Sequence, residues 1–120
     1  MRSDDPSAFL PLKPEVFHIL LALHENVRHG YGIMQDVERA SAGTVRLQTG
    51  ALYRELKRLL RDGLIAETTV PAGTRDHDPR RRYYRVTAFG VKVTAAEADR
   101  LAALVATARR LRLTRAPRPA

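Results

Sequence analysis

Apolar residues recur along this chain in two rhythms, first a helical one and later an alternating one. Val16, Ile19, Leu20 and Leu23 share one helical stripe, and Phe17 and Leu21 widen it. Pro14 suits a first helical position and Glu15 a first turn, so a central helix is predicted from Pro14 to Asn26. The stretch RHGYG at 28–32 reads as a turn, followed by a second helix with Ile33, Met34, Val37 and Ala40 facing inward and an end near Ser41 to Gly43. In RLQTGALYRELKRLLRDGL, residues 46–64, Leu52, Leu56, Leu59 and Leu60 form the stripe of a third helix. Thr49 stands where its N-cap belongs and Gly63 where a left-handed C-cap belongs.

After Gly63 the period changes. LIAETTV at 64–70 and RRRYYRVT at 80–87 mix β-branched and alternating residues, with Tyr84 and Val86 on one face, and they flank the polar loop Pro71 to Pro79. These two strands make a hairpin. A long last helix is predicted from about Thr87 to Leu113, carrying Val93, Leu101, Leu104, Val105, Ala108 and Leu111 on one side.

Three helices, a hairpin and a long helix predict a mainly α fold with a small β-hairpin: a winged helix-turn-helix followed by a long C-terminal dimerisation helix. The expected division is a winged helix-turn-helix over residues 13–88, a C-terminal helix over 89–113, and flexible arms at 1–12 and 114–120. Leu101, Leu104, Val105, Ala108 and Leu111 form a stripe that a single copy of this size leaves partly in water, which predicts a homodimer joined through that helix.

Charge gives the fold a direction. The net charge of +8 is uneven: residues 1–60 hold 8 basic and 7 acidic residues, whereas residues 61–120 hold 13 and 6. Arginine supplies 18 of the 21 basic residues, and its planar fork suits phosphate oxygens and guanine edges. The third helix bears Tyr53, Arg54, Lys57, Arg58 and Arg61 away from its leucines, the layout of a helix that lies in a DNA groove. Arg46, Gln48 and Thr49 sit at the end that enters the major groove first. Arg75 near the hairpin tip and Arg80, Arg81 and Arg82 at its base sit where a wing meets phosphates or a minor groove. Arg58 also has Glu55 and Asp62 at helical spacing, so part of this face has a purely structural explanation. Double-stranded DNA is the expected partner. A winged-helix module for RNA or protein contacts is the competing reading.

HGYGIMQDVERAS at 29–41, TGALYRELKRLLRDGLI at 49–65 and RRRYYRVTAFG at 80–90 resemble the signature segments of the PadR-like transcriptional regulators, over about residues 14–90. The resemblance implies Tyr31 near the DNA backbone, Tyr53 in the recognition helix, basic wing residues beside Tyr83, and a homodimer joined through the C-terminal helix. The single helix after the wing is similar to the short members of the family. A repressor acting on an inverted-repeat operator is the expected function. Some relatives bind small aromatic ligands at the dimer seam, yet the C-terminal helix here has no Trp, Tyr or Phe beyond Phe89. A small-molecule effector is therefore left open and unidentified.

Other chemistries have little support in the sequence. The absence of cysteine excludes disulfides and thiolate chemistry. His18, His24, His29 and His77 lack ligand spacing, and the Asp76, His77, Asp78 run suits a turn capping its own backbone, so no metal and no cofactor is expected. No phosphate loop or nucleophile elbow argues for an enzyme. No apolar run is long enough to span a bilayer and no signal peptide is visible, so a cytoplasmic location away from membranes is expected.

Overall fold

The computed structural model describes residues 4–70, 73–74 and 80–115. Four helices and three short strands appear in the order α1 (Pro14–Glu25), β1 (Arg28–His29), α2 (Gly30–Ala40), α3 (Thr49–Arg61), β2 (Ile65–Thr68), β3 (Tyr83–Val86) and α4 (Ala88–Arg110), after one 3-10 turn at Pro6–Phe9. Burial of the stripes explains why the helices sit as they do. Val16, Ile19, Leu20 and Leu23 of α1, Ile33 and Val37 of α2, and Leu52, Leu56 and Leu59 of α3 meet Leu64, Ile65, Tyr84 and Val93 in one core. The edges of the expected stripes fall outside it: Leu21 and Ala40 are exposed, because α1 and α2 each pack along one side only.

The helix boundaries bring one correction and one agreement. Gln48, not Thr49, is the N-cap of α3, and no side-chain bond caps it. Leu52 N donates to Gln48 O at 2.9 Å, which places Thr49 already inside the first turn. At the far end Gly63 has φ 78°, a left-handed conformation that a side chain would strain. Its N–H donates to Leu60 O (3.2 Å) and that of Leu64 to Leu59 O (2.9 Å), closing the last turn.

The stretch expected as a turn at 28–32 is instead a two-residue strand running directly into α2. Arg28 pairs with Tyr84 and His29 with Tyr83, so β1 adds a third strand to the hairpin in the antiparallel order β1-β3-β2. Within the hairpin Ile65 faces Val86 and Thr68 faces Tyr83. Its loop lies largely outside the described residues, and with it the expected Arg75 contact and the Asp76, His77, Asp78 run.

Where the wing ends, α4 is clamped to the exit of α3. Thr87 caps α4 by accepting from Gly90 N at 3.0 Å, and its hydroxyl donates towards the carbonyl oxygens of Gly63 (2.6 Å) and Leu64 (3.0 Å). Gly90 passes the backbone of Leu64 so closely that a Cβ would lie 2.0 Å from its carbonyl oxygen.

The N-terminal segment, expected as a loose arm, is held over residues 5–12. Asp5 caps the 3-10 turn, Phe9 stacks edge-on against Phe89 at 5.6 Å between centroids, and Leu12 N donates to Glu97 Oε2 at 2.9 Å. A buried acceptor on a distant helix decides this order, and the polar local sequence does not reveal it.

Candidate nucleic-acid interface

Three elements converge on one side of the molecule. The N-terminus of α2, the outer edge of α3 and the residues leading into β3 enclose an open cleft of about 470 Å³. Tyr31 comes from α2, Tyr53 from α3, and Arg80, Arg81 and Arg82 from the wing base, with Tyr84 and His29 behind them. The Tyr53 ring reaches across to the start of α2, where a Cβ on Gly30 would lie 2.6 Å from its Oη. Both Tyr31 and Tyr53 are exposed, an unusual position for large aromatics and one suited to a partner with flat or polar surfaces.

Further along α3, the exposed arginines divide by their partners. Arg58 lies 3.5 Å from the buried carboxylate of Glu55, which Lys13 also approaches at 3.4 Å. Arg61 pairs with Asp62 (3.1 Å), Arg46 with Glu38 (3.6 Å) and Arg82 with Glu67 (3.2 Å). Among the described residues Arg54 and Lys57 have no carboxylate partner, so their charge is uncompensated. Gln48 and Thr49 stand exposed at the α3 N-terminus. The cleft thus brings together Tyr31, Tyr53 and Arg80–Arg82, while Gln48, Thr49, Arg54 and Lys57 stand exposed on or beside α3 outside its lining. Arg46, Arg58 and Arg82 are exposed too, but already paired.

Tyr83 departs from its expected role. It is buried, with its ring edge-on to His29 at 5.4 Å and 90°, and it supports the wing from within. Alternation explains the reversal: β3 is covered on both faces at this point, by the core beneath Tyr84 and by His29 above Tyr83. The Tyr84 hydroxyl titrates above its ordinary value, mainly because it is buried and further because Glu67 and Tyr53 lie near.

His29 entered the sequence reading only as a histidine without metal-ligand spacing. Its Nδ1 accepts from Gly32 N at 3.1 Å and so caps α2, and the Arg81 guanidinium lies 3.3 Å from its Nε2. Burial first, then Arg81 and Arg28, hold its pKa below the ordinary histidine value, against a weaker opposing pull from Asp36. Arg28 is itself fixed by two bonds to Asp36, at 2.9 and 3.0 Å, and Arg39 pairs with the same carboxylate. The spacing of His29 and Gly32 was a usable signal, since an acceptor side chain three residues before a first-turn amide is a capping pattern.

This arrangement defines a winged helix-turn-helix protein with a cationic recognition helix. The family model of the PadR-like transcriptional regulators matches residues 19–96, and the chain belongs to that family. It is a DNA-binding transcriptional regulator. Solved structures agree on the fold. A transcriptional regulator from Clostridium thermocellum is 21% identical with a TM-score of 0.65, covering 92% of this chain and 96% of its own. A PadR family transcription regulator from Clostridium difficile is 19% identical with a TM-score of 0.67, covering 82% and 98%. A PadR-like transcription factor from Bacteroides fragilis is 25% identical with a TM-score of 0.63, covering 80% and 87%. No curated protein matches the sequence. Among the described residues no group of side chains could hold a metal ion, and no helix is long and apolar enough to cross a membrane.

Proposed function

We propose that this regulator is a dimeric, sequence-specific repressor that places α3 in the major groove of an inverted-repeat operator and rests its wing base on flanking phosphates. The reading is supported by Arg54 and Lys57, exposed on α3 with no carboxylate partner among the described residues, and by Tyr53 of the same helix, which lines the cleft with Tyr31 and Arg80–Arg82. Base-edge recognition needs donors free of internal carboxylates, and phosphate contacts need cations spread beside them. Dimerisation is read from Leu101, Leu104, Val105 and Ala108 on the second half of α4 and from Leu111 at its C-cap, all outside the core. A two-fold dimer presents two copies of α3, so half-sites centred about 10 base pairs or a multiple apart are expected. The work of such a protein places it in the cytoplasm, with the DNA. Phe89, the one aromatic on α4, is already packed against Phe9, so the proposal includes no effector stacked on α4.

Two substitutions test the division of labour. Arg54→Ala should weaken operator binding by about 1 to 3 kcal/mol and relax preference at particular base pairs, because a bidentate base contact carries discrimination. Arg81→Ala should weaken operator and random duplex alike, and flatten the dependence of log affinity on log salt by about one unit per protomer. Competition titrations across a salt series decide the matter. Equal, sequence-independent losses for the two would refute the reading, as would wild-type protein that binds every duplex equally, the behaviour of a module built for RNA or protein.

A further inference from the structure

The histidine at the head of α2 has more donors around it than a neutral imidazole can satisfy. Its Nδ1 faces Gly32 N–H at 3.1 Å and its Nε2 faces an Arg81 N–H at 3.3 Å. A neutral ring has one nitrogen that accepts and one that donates, so only one of these contacts is a hydrogen bond. The backbone contact prevails. Gly32 is buried in the first turn of α2, where amides lack helical partners, whereas Arg81 is exposed and water can serve it. The proton therefore sits on Nε2, and its N–H and that of Arg81 point at each other with no acceptor between them. Burial and the neighbouring arginines keep the ring neutral, and Tyr83, edge-on beneath it, fixes its plane.

Two donors facing one another at the wall of an open cleft call for an oxygen that accepts from both. We infer that His29 is a DNA-contacting residue, its Nε2–H and the Arg81 guanidinium donating together to one backbone phosphodiester of the bound duplex. The helix terminus itself is not the binding group, because the imidazole already occupies its free amide. The inference rests on the DNA-binding reading above and adds to it a neutral donor that no charge count would find. Neutrality gives it a distinct signature: a neutral group displaces no counterion when it meets a phosphate, so its loss changes affinity and leaves the salt slope alone.

The test uses the full chain, a random-sequence duplex and mildly alkaline buffer. His29→Asn keeps an oxygen suited to capping α2 but does not extend to the cleft. It should melt like the parent and bind about threefold to tenfold more weakly per protomer, with an unchanged salt slope, whereas Arg81→Ala flattens that slope. Unchanged affinity overturns the inference. So does a slope that falls as far as that of Arg81→Ala, since an imidazolium would then be the contact. Nitrogen-15 spectra of the wild-type ring make the test independent of the variant's folding. They should show the Nε2–H tautomer in the free protein, shifted by duplex and not by inorganic phosphate alone. The Nδ1–H tautomer, no shift with duplex, or the same shift with inorganic phosphate would each overturn it. Wild-type protein that fails to bind duplex at low salt would remove the DNA-binding reading first, and this inference with it.

Discussion

The two halves of α4 are one continuous helix of similar composition, yet they have opposite surroundings. In the first half Gly90, Val93, Thr94 and Glu97 are buried, the threonine bonded back to Gly90 O at 2.7 Å and the glutamate holding the N-terminal segment. In the second half Leu104 is 56% and Val105 44% exposed, although both are strongly apolar. Burial on this helix follows what lies opposite each turn, and residue type alone does not predict it. The first half packs into the winged core; the second carries apolar side chains that the described residues leave largely exposed. The difference separates residues whose loss should unfold the domain from residues whose loss should change only its assembly.

Gly90→Ala should break the first half outright. A methyl 2.0 Å from Leu64 O and 2.8 Å from Val86 Cγ2 cannot be absorbed by a flexible side chain, because the nearer atom is backbone. Helix propensity favours the alanine by about 1 kcal/mol, and the clash outweighs it. A net loss of about 3 kcal/mol or more is expected in urea unfolding, near the upper range for overpacking. A variant as stable as the parent would show that α4 can slide off the α3 exit, and the contrast between the halves would weaken.

Glu97 comes next. Its carboxylate is 1% exposed, accepts from Leu12 N and is paired with Arg100. Glu97→Ala strands both donors and should cost about 2 kcal/mol. The bond from Arg100, ahead of that from Leu12 N, holds the carboxyl pKa below its ordinary value of 4.5 against the opposing effect of burial. The folded protein therefore binds fewer protons at this site than the unfolded chain does. Its stabilisation is complete above the unfolded value and fades as pH falls through 4.5 towards the folded value. Glu97→Gln should lower stability at neutral pH and flatten this acid-side loss. An unchanged acid limb in Glu97→Gln would assign the loss to other carboxylates.

How far these features could be read in the sequence follows the same division. The stripes of α1 and α3 were legible because each repeats over several turns, and so was Gly63, because only a left-handed residue ends α3 there. The cationic character of α3 and of the run Arg80–Arg82 was legible too. β1 was not, since two residues carry no period and Arg28–His29 becomes a strand only by pairing with Tyr83 and Tyr84. The burial of Glu55 and Glu97 was not legible; distant donors, Lys13 and Leu12 N, are part of what makes it tolerable. The packing of Tyr83 on His29 was not legible, because it joins two strands far apart in sequence.

The smallest effect on the fold should come from the second half of α4, and there the effect on assembly should be large. Leu104→Glu combined with Val105→Glu places two charges on a face that is already in water in the isolated chain, so the winged domain loses no buried contact. At concentrations where the parent too is monomeric, unfolding should shift by less than about 0.5 kcal/mol, the range of ordinary surface changes. In sedimentation at higher concentration the parent should run as a dimer and the variant as a monomer, because two facing stripes cannot bury four carboxylates. Point substitutions serve better here than deletion from residue 95, which would also remove Glu97 and release the segment around Leu12. A variant that remains dimeric would move the seam away from this stripe. One that unfolds as a monomer would show that the second half of α4 supports its own domain after all, and the division between the halves would fail.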